Sequence, residues 1–160
     1  MGYDIVWLEQ HHLDKMVPEP LAGVTSSSLG KAYFSPGSQA LCLLVEGRPV
    51  FAGGIVNLEW HRGEAWLLPT PYFRTHIKSC FRLMQEWLPK MAEWGGFVRV
   101  QATCPEESSE ILFRHLGFEY EATLKHFGPC GETCSMFARL FGPHKEPTIA
   151  SLNAMWSRNA

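Results

Sequence analysis

Cys104 is the residue whose type and position most directly suggest covalent chemistry. It follows the alternating segment Phe97–Ala102 (FVRVQA) and precedes Pro105-Glu106, where a short helix is expected to begin. A thiol at a helix N-terminus is held below its ordinary pKa by the positive end of the helix dipole and becomes a better nucleophile. The same position also suits a small buried cysteine, which is the commoner use of the residue. Glu59, His61 and Glu64 form a second group. A carboxylate or imidazole there could act as a general base, directly or through water. Glu59 and Glu64 flank the turn His61-Arg62-Gly63, so both are expected near a hairpin tip, where such residues are usually just solvated. His126, Cys130 and Cys134 cluster around a third turn. Structural zinc usually needs four ligands with a close Cys pair. Cys-x3-Cys with one His falls short, and no metal site is expected. His11-His12 stands at an early helix, where such a pair is usually exposed.

These groups need a scaffold, and the chain order supplies one. Asp4–Leu8 (DIVWL) reads as an entering strand, followed by a helix over Glu9–Val17 that Pro18 and Pro20 close. Ala40–Glu46, Val50–Trp60 and Glu64–Leu68 read as three antiparallel strands joined by tight turns. Gly53-Gly54 inside the second strand marks a bulge or a close backbone approach. The strongest periodic signal follows. Thr70 is a candidate N-cap and Pro71 a first helical residue. Phe73, Ile77, Cys80, Phe81, Met84, Trp87, Leu88 and Met91 then make one apolar stripe, with Arg74, Lys78, Arg82, Glu86 and Lys90 opposite. Pro89 is expected to kink or shorten this helix, and Gly95-Gly96 to end it. Phe97–Ala102 is a strand. Thr103-Cys104-Pro105-Glu106 has capping-box spacing before a short helix that Gly117 stops. A β-hairpin, Phe118–Phe127 and Thr133–Leu140, closes the domain. The fold class is α+β (mixed α/β): a mostly antiparallel sheet with one parallel pair across the strand–helix–strand segment Glu64–Ala102. Residues 1–140 form the domain and 141–160 a C-terminal tail, whose Met155-Trp156 could dock on the domain or on a neighbouring subunit.

Composition limits the function classes. The chain has 160 residues, 46% hydrophobic and 19% charged, enough for one packed core. Formal net charge is -2, with 14 Lys+Arg against 16 Asp+Glu, so a generic nucleic-acid binder is not expected. No apolar run approaches a membrane span. Met1–Gln10 carries Asp4 and Glu9 and does not read as a signal peptide. Five cysteines without an export signal suggest a reduced, cytoplasmic setting. The six Trp are expected mostly to pack the long helix on the sheet.

The element order and several local sequences resemble the GNAT acetyltransferase superfamily, over roughly Asp4–Leu140. Ile111–Phe118 (ILFRHLGF) is similar to that superfamily's short helix, Leu-Gly-Phe and strand. Ser135–Leu140 resembles its final hairpin strand and Pro49–Leu68 its central hairpin. Trp66-Leu67-Leu68 with the following Thr-containing loop further resembles a divergent GNAT-like branch of bacteriophages and prophages, which would place the protein in a bacterial host cytoplasm or a virion.

The resemblance implies a twisted sheet whose two central parallel strands splay to admit acetyl-CoA. It implies backbone contacts from Leu67 and Leu68 to the pantetheine arm. It puts the pyrophosphate on the loop Pro69–Thr75, with Thr70, Tyr72, Phe73 and Arg74 as the residues around it. It implies direct acetyl transfer to an amine of a small molecule or protein, Glu64 and Cys104 being the catalytic candidates, and a homodimer as a candidate assembly. It puts His11-His12 beside the acceptor. An amide released by a bulge in the Glu64–Leu68 strand could polarise the thioester carbonyl. Two departures favour an alternative: a catalytically inactive GNAT-like phage or prophage protein that binds a protein partner or serves in the virion. The loop Pro69–His76 has no Gly where the family has Gly-x-Gly or Gly-x-Ala. Phe113 stands where many members carry the Tyr that protonates the leaving thiolate, and a phenyl ring donates no proton.

Overall fold

A computed structural model describes residues 2–16, 33–59, 61–105, 110–128 and 130–142. The expected tail and its Met155-Trp156, and the Glu106 end of the expected capping box, lie outside the described residues. Seven strands form one sheet in the order β1-β2-β3-β4-β5-β7-β6. They are β1 (Tyr3–Trp7), β2 (Gln39–Val45), β3 (Arg48–Asn57), β4 (Arg62–Pro69), β5 (Arg99–Pro105), β6 (Glu119–Leu124) and β7 (Cys134–Leu140). Every neighbouring pair is antiparallel except β4 and β5. Three helices are described: α1 (Gln10–Lys15), α2 (Ile77–Gly95) and α3 (Glu110–His115). No described helix is long and apolar enough to cross a membrane.

Strand alternation sorts the core into two faces. Leu41, Ile55, Val100, Ala102 and Cys104 pack beneath Leu88, Met91 and Ala92 of α2. Leu43, Val50 and Phe51 join Cys80 on that face. Ala40, Cys42, Ala52 and Leu68 face the other way, onto Leu13 and Met16 at α1 and onto Tyr33. Cys42 and Cys80 are core thiols, and burial pushes each up to about 11.

Gly53-Gly54 resolves as a close approach. β3 keeps one register against β4 from Phe51↔Pro69 to Asn57↔Gly63, and a Cβ on Gly54 would stand 2.0 Å from the Gln39 carbonyl oxygen. The register shift in this part of the sheet lies between Leu43 and Leu44.

The long helix starts later than its sequence suggests. Pro71–Phe73 forms a single 3-10 turn, and α2 begins at Ile77 with His76 as N-cap. Thr70 does not cap it. Its N–H donates to the Val50 carbonyl at 3.0 Å and its hydroxyl to the same oxygen at 2.8 Å, so it prolongs the β3–β4 ladder. Nor does Pro89 end the helix, which runs on to Gly95 and closes on Gly96 in the left-handed region (φ 68). The packed apolar stripe outweighs one lost hydrogen bond.

Of the four described tryptophans, two depart from core packing. Trp7 and Trp94 are 54% and 52% exposed and meet at 5.9 Å between ring centroids, with Trp87 beside Trp94.

α1 carries a titration-dependent cap. The Glu9 N–H donates to His12 Nδ1 at 3.0 Å, and His12 is buried. Burial first, then the neighbouring His11, holds the His12 pKa below its ordinary value. The native state therefore binds the proton less readily than the unfolded chain. His12 contributes stability that is present above about pH 6.5 and lost as pH falls through its native pKa. We expect His12→Asn to flatten this part of the Tm–pH profile; an unchanged slope between the two proteins would refute the assignment.

Candidate active site

The site is built by a ladder that stops. β4 and β5 pair only at Arg62↔Arg99, Gly63↔Val100 and Glu64↔Gln101, although β4 continues to Pro69 and β5 to Pro105. Past Glu64 the two strands part.

Backbone parity shows what faces the opening. In an antiparallel ladder, residues alternate between bonding their partner strand and pointing away from it. Leu58 N–H donates to Arg62 O and Thr70 N–H to Val50 O, so even-numbered β4 residues bond β3. The odd ones turn toward β5, as the His61 carbonyl shows by accepting from Val98 and Arg99. Leu67 therefore presents its N–H and C=O to the opening. Leu68 pairs with Ala52 instead, and its side chain is buried beside α1. On β5, Phe141 N–H donates to Val98 O, which places the even residues against β7. Thr103 thus turns its backbone to the same opening from the far side. No bulge interrupts β4 against β3, so the expected bulge-released amide is absent; the Leu67 N–H is available through parity alone.

Side chains divide between the two faces. Glu64 is the third residue of β4 rather than a hairpin tip, half-buried on the α1 face. The Thr103 side chain lies near it across the root of the opening. Burial raises the Glu64 carboxyl above its ordinary pKa, and the neighbouring Thr103 hydroxyl only partly opposes this. Trp66 shares that face, stacked on Tyr33 at 3.5 Å between centroids. Among the described residues Trp66 Nε1 is buried and has no hydrogen-bond partner. Burial pushes the Tyr33 hydroxyl up to about 12.

Cys104 lies on the opposite face. It is inside β5, paired with Ser135 and buried beneath α2. Thr103 and Pro105 are also strand residues, so the expected capping box and helix-start thiol do not form there: pairing with β7 keeps this stretch extended. On the α2 face a cavity of about 560 Å³ opens along the parted strands. Leu67, Cys104, Met84, Trp87, Leu112 and Phe113 are among its mainly apolar walls. Phe113 stacks on Phe137 at 5.2 Å and meets Phe118 at 5.7 Å.

At the outer end of the opening stand the 3-10 turn and the first turn of α2. Tyr72, Arg74, Thr75 and Lys78 are exposed there, and Phe73 packs edge-on against Phe51. The first turn of a helix leaves N–H groups without intrahelical acceptors, here those of Ile77, Lys78 and Ser79. Thr70 is 3% exposed and its hydroxyl is already engaged.

The remaining candidates lie elsewhere. His61 Nδ1 is 3.0 Å from the Gly96 carbonyl and ties the β3–β4 turn to the end of α2. Glu59 occupies that turn with φ 72. Among the described residues no three of His, Cys, Asp and Glu converge as a metal site; Cys130 is exposed and Cys134 buried. Sequence reasoning missed Thr103 as the partner of Glu64. The signal was available in the strand period, which puts Arg99, Gln101 and Thr103 on one face of β5.

No protein-family model matches the sequence, and no curated protein does. Solved structures do match. Ard1 from Thermoplasma volcanium is similar at 12% identity and TM-score 0.74, over 89% of this chain and all of its own. The ribosomal-protein-S18-alanine N-acetyltransferase of Escherichia coli is similar at 14% identity and TM-score 0.72, over 92% and 99%. The yncA protein of Salmonella typhimurium, solved with its cofactor acetyl-CoA, is similar at 14% identity and TM-score 0.67, over 93% and 99%. A GNAT-family acetyltransferase from Streptococcus pneumoniae is similar at 16% identity and TM-score 0.67, over 88% and 100%. At these identities the likeness is one of fold: the chain has the fold of the GNAT acetyltransferases.

Proposed function

We propose, from that fold, that the protein transfers an acetyl group from acetyl-CoA directly to an amine. The observation that carries this reading is the parting of β4 and β5 immediately after the Glu64↔Gln101 rung, with Leu67 and Thr103 turning backbone groups into the gap. An extended amide-bearing arm fits between two such edges as a strand would. The apolar cavity beside it suits the arm's methylene groups. The exposed start of α2, with Arg74 and Lys78, suits a pyrophosphate, because helix N-termini favour anions. Pro71 removes one amide from that loop and no Gly opens it, so charge and the N–H groups of Ile77–Ser79 carry more of the binding than in a Gly-rich loop.

The amine nitrogen attacks the thioester carbonyl, the C–S bond breaks, and CoA leaves as a thiolate that takes its proton from solvent, since Phe113 has none to give. Glu64 takes the proton from the acceptor amine, directly or through one water, from the α1 face. Its raised pKa keeps it a better base than a solvated carboxylate. The Leu67 N–H is placed to orient the arm, and Thr103 lies beside the carboxylate on the same face. Cys104 faces the cavity from the other side and takes no proton from the acceptor.

A second reading rests on Phe113. With a phenyl ring rather than a phenol at position 113 in the cavity wall, the protein would bind a partner without turnover. Thermal unfolding with and without acetyl-CoA tests both. At 100 times its dissociation constant a ligand adds about 2.7 kcal/mol, a Tm rise of about 5–10 °C for a chain this long. Arg74→Ala is expected to reduce that rise. No rise in the parent refutes the proposed donor. An undiminished rise in the variant refutes the pyrophosphate placement. A rise without any acetyl transfer to an amine panel favours the second reading.

A further inference from the structure

The sheet has two edges, and they differ in kind. β6 carries Glu119 and Glu121, is irregular between Tyr120 and Ala122, and ties Glu121 into a two-bond pair with Arg99. An acidic, bulged edge resists adding a strand. β1 carries a single acidic residue, Asp4, and no register irregularity. It reads Tyr-Asp-Ile-Val-Trp, with no Pro, Gly or Lys, and keeps an unbroken register from Tyr3↔Val45 to Trp7↔Leu41. Among the described residues no strand pairs with its outer side.

Parity again decides what that side offers. Leu8 N–H donates to Ala40 O, so Asp4 and Val6 bond β2, and Tyr3, Ile5 and Trp7 point their N–H and C=O outward. The same three side chains lie on the α2 face. The Tyr3 hydroxyl accepts from the Ser79 hydroxyl at 3.0 Å at the start of α2, and Trp7 meets Trp94 at its end. Tyr3, Trp7 and Trp94 nonetheless remain widely exposed. Beside them Trp7, Trp87 and Trp94, with Ile5 and Leu41, line an apolar groove of about 400 Å³.

The geometry points to a homodimer formed by antiparallel pairing of the β1 edges of two copies, centred on Ile5. In that register Ile5 meets Ile5 of the second copy, and Tyr3 meets Trp7 at both ends. Each of these pairs exchanges both backbone bonds, because all three residues have outward groups. The two aromatic pairs lie on one face, where cross-strand aromatic contacts are favourable. Asp4 falls opposite Val6, so no like charges oppose each other. Pairing β1 with β6 of another copy would set Asp4 against an acidic edge. The self-pairing is closed by a two-fold axis and propagates no filament. A five-residue edge is small for a stable association, so the dimer forms with rising concentration.

Sedimentation velocity over a wide concentration range, with hydrogen exchange on the full chain, tests this. The expected result is a concentration-dependent shift to twice the monomer mass, with the amides of Tyr3, Ile5 and Trp7 gaining protection in parallel. Trp7→Lys, which puts a charge on an already exposed edge position, should abolish both while Tm stays close to the parent. A monomer at every concentration overturns the proposal. So does a dimer that Trp7→Lys leaves intact, or protection of those amides that is independent of concentration, which would mean that the chain covers its own edge.

Discussion

Replacing Glu64 with Gln is expected to lower acetyl transfer about 100- to 10,000-fold, the range over which a positioned general base acts. Gln keeps the volume and an acceptor for the Thr103 hydroxyl but has no basic oxygen. The acetyl-CoA-dependent rise in Tm should therefore survive while turnover falls. The parent's rate should increase with pH as Glu64 deprotonates. That limb lies above the ordinary carboxylate range, because burial raises the pKa. In the variant the limb should vanish. An unchanged rate, or a pH profile shared by both proteins, would remove Glu64 from the mechanism.

Gly54→Ala is expected to have the largest effect on stability. The added Cβ would stand 2.0 Å from the Gln39 carbonyl oxygen and 2.8 Å from the Ala40 Cα. Both obstacles are backbone of the neighbouring strand, so no side-chain rotation relieves them. A cost of about 3 kcal/mol follows from such overpacking, or roughly 6–12 °C in Tm. Gly53→Ala is the control. Its Cβ would meet nothing closer than 3.2 Å, on the other face. Thermal melts of the two variants should differ clearly. If they melt together, a general loss of glycine flexibility explains the pair better than the strand contact does.

The two results would separate scaffold from chemistry, since Gly54 and Glu64 lie on adjacent strands of one ladder. Gly54 sets how closely β2 approaches β3. Glu64 sits where β4 leaves β5. A fall in activity without a fall in Tm belongs to the second position alone.

Local pattern was enough for the strands, the long helix, the parallel pair and the core thiols Cys42 and Cys80, because apolar period and turn residues are properties of neighbouring positions. Glu64 was a candidate from its residue type and position, whereas the GNAT fold and Leu67 came from the family resemblance of several local sequences. Three matters depended on partners distant in sequence. Thr70 and Cys104 looked like helix-cap positions, and only pairing with β3 and β7 turned them into strand residues. Glu64 looked like a solvated turn residue until strand pairing placed it half-buried inside β4, with Thr103, 39 positions later, beside it. Leu67 and Leu68 looked equivalent, and ladder parity gave the opening to one and the core to the other. Period and composition are written in consecutive residues, whereas parity, register and burial of a charge exist only once strands far apart in the chain have met.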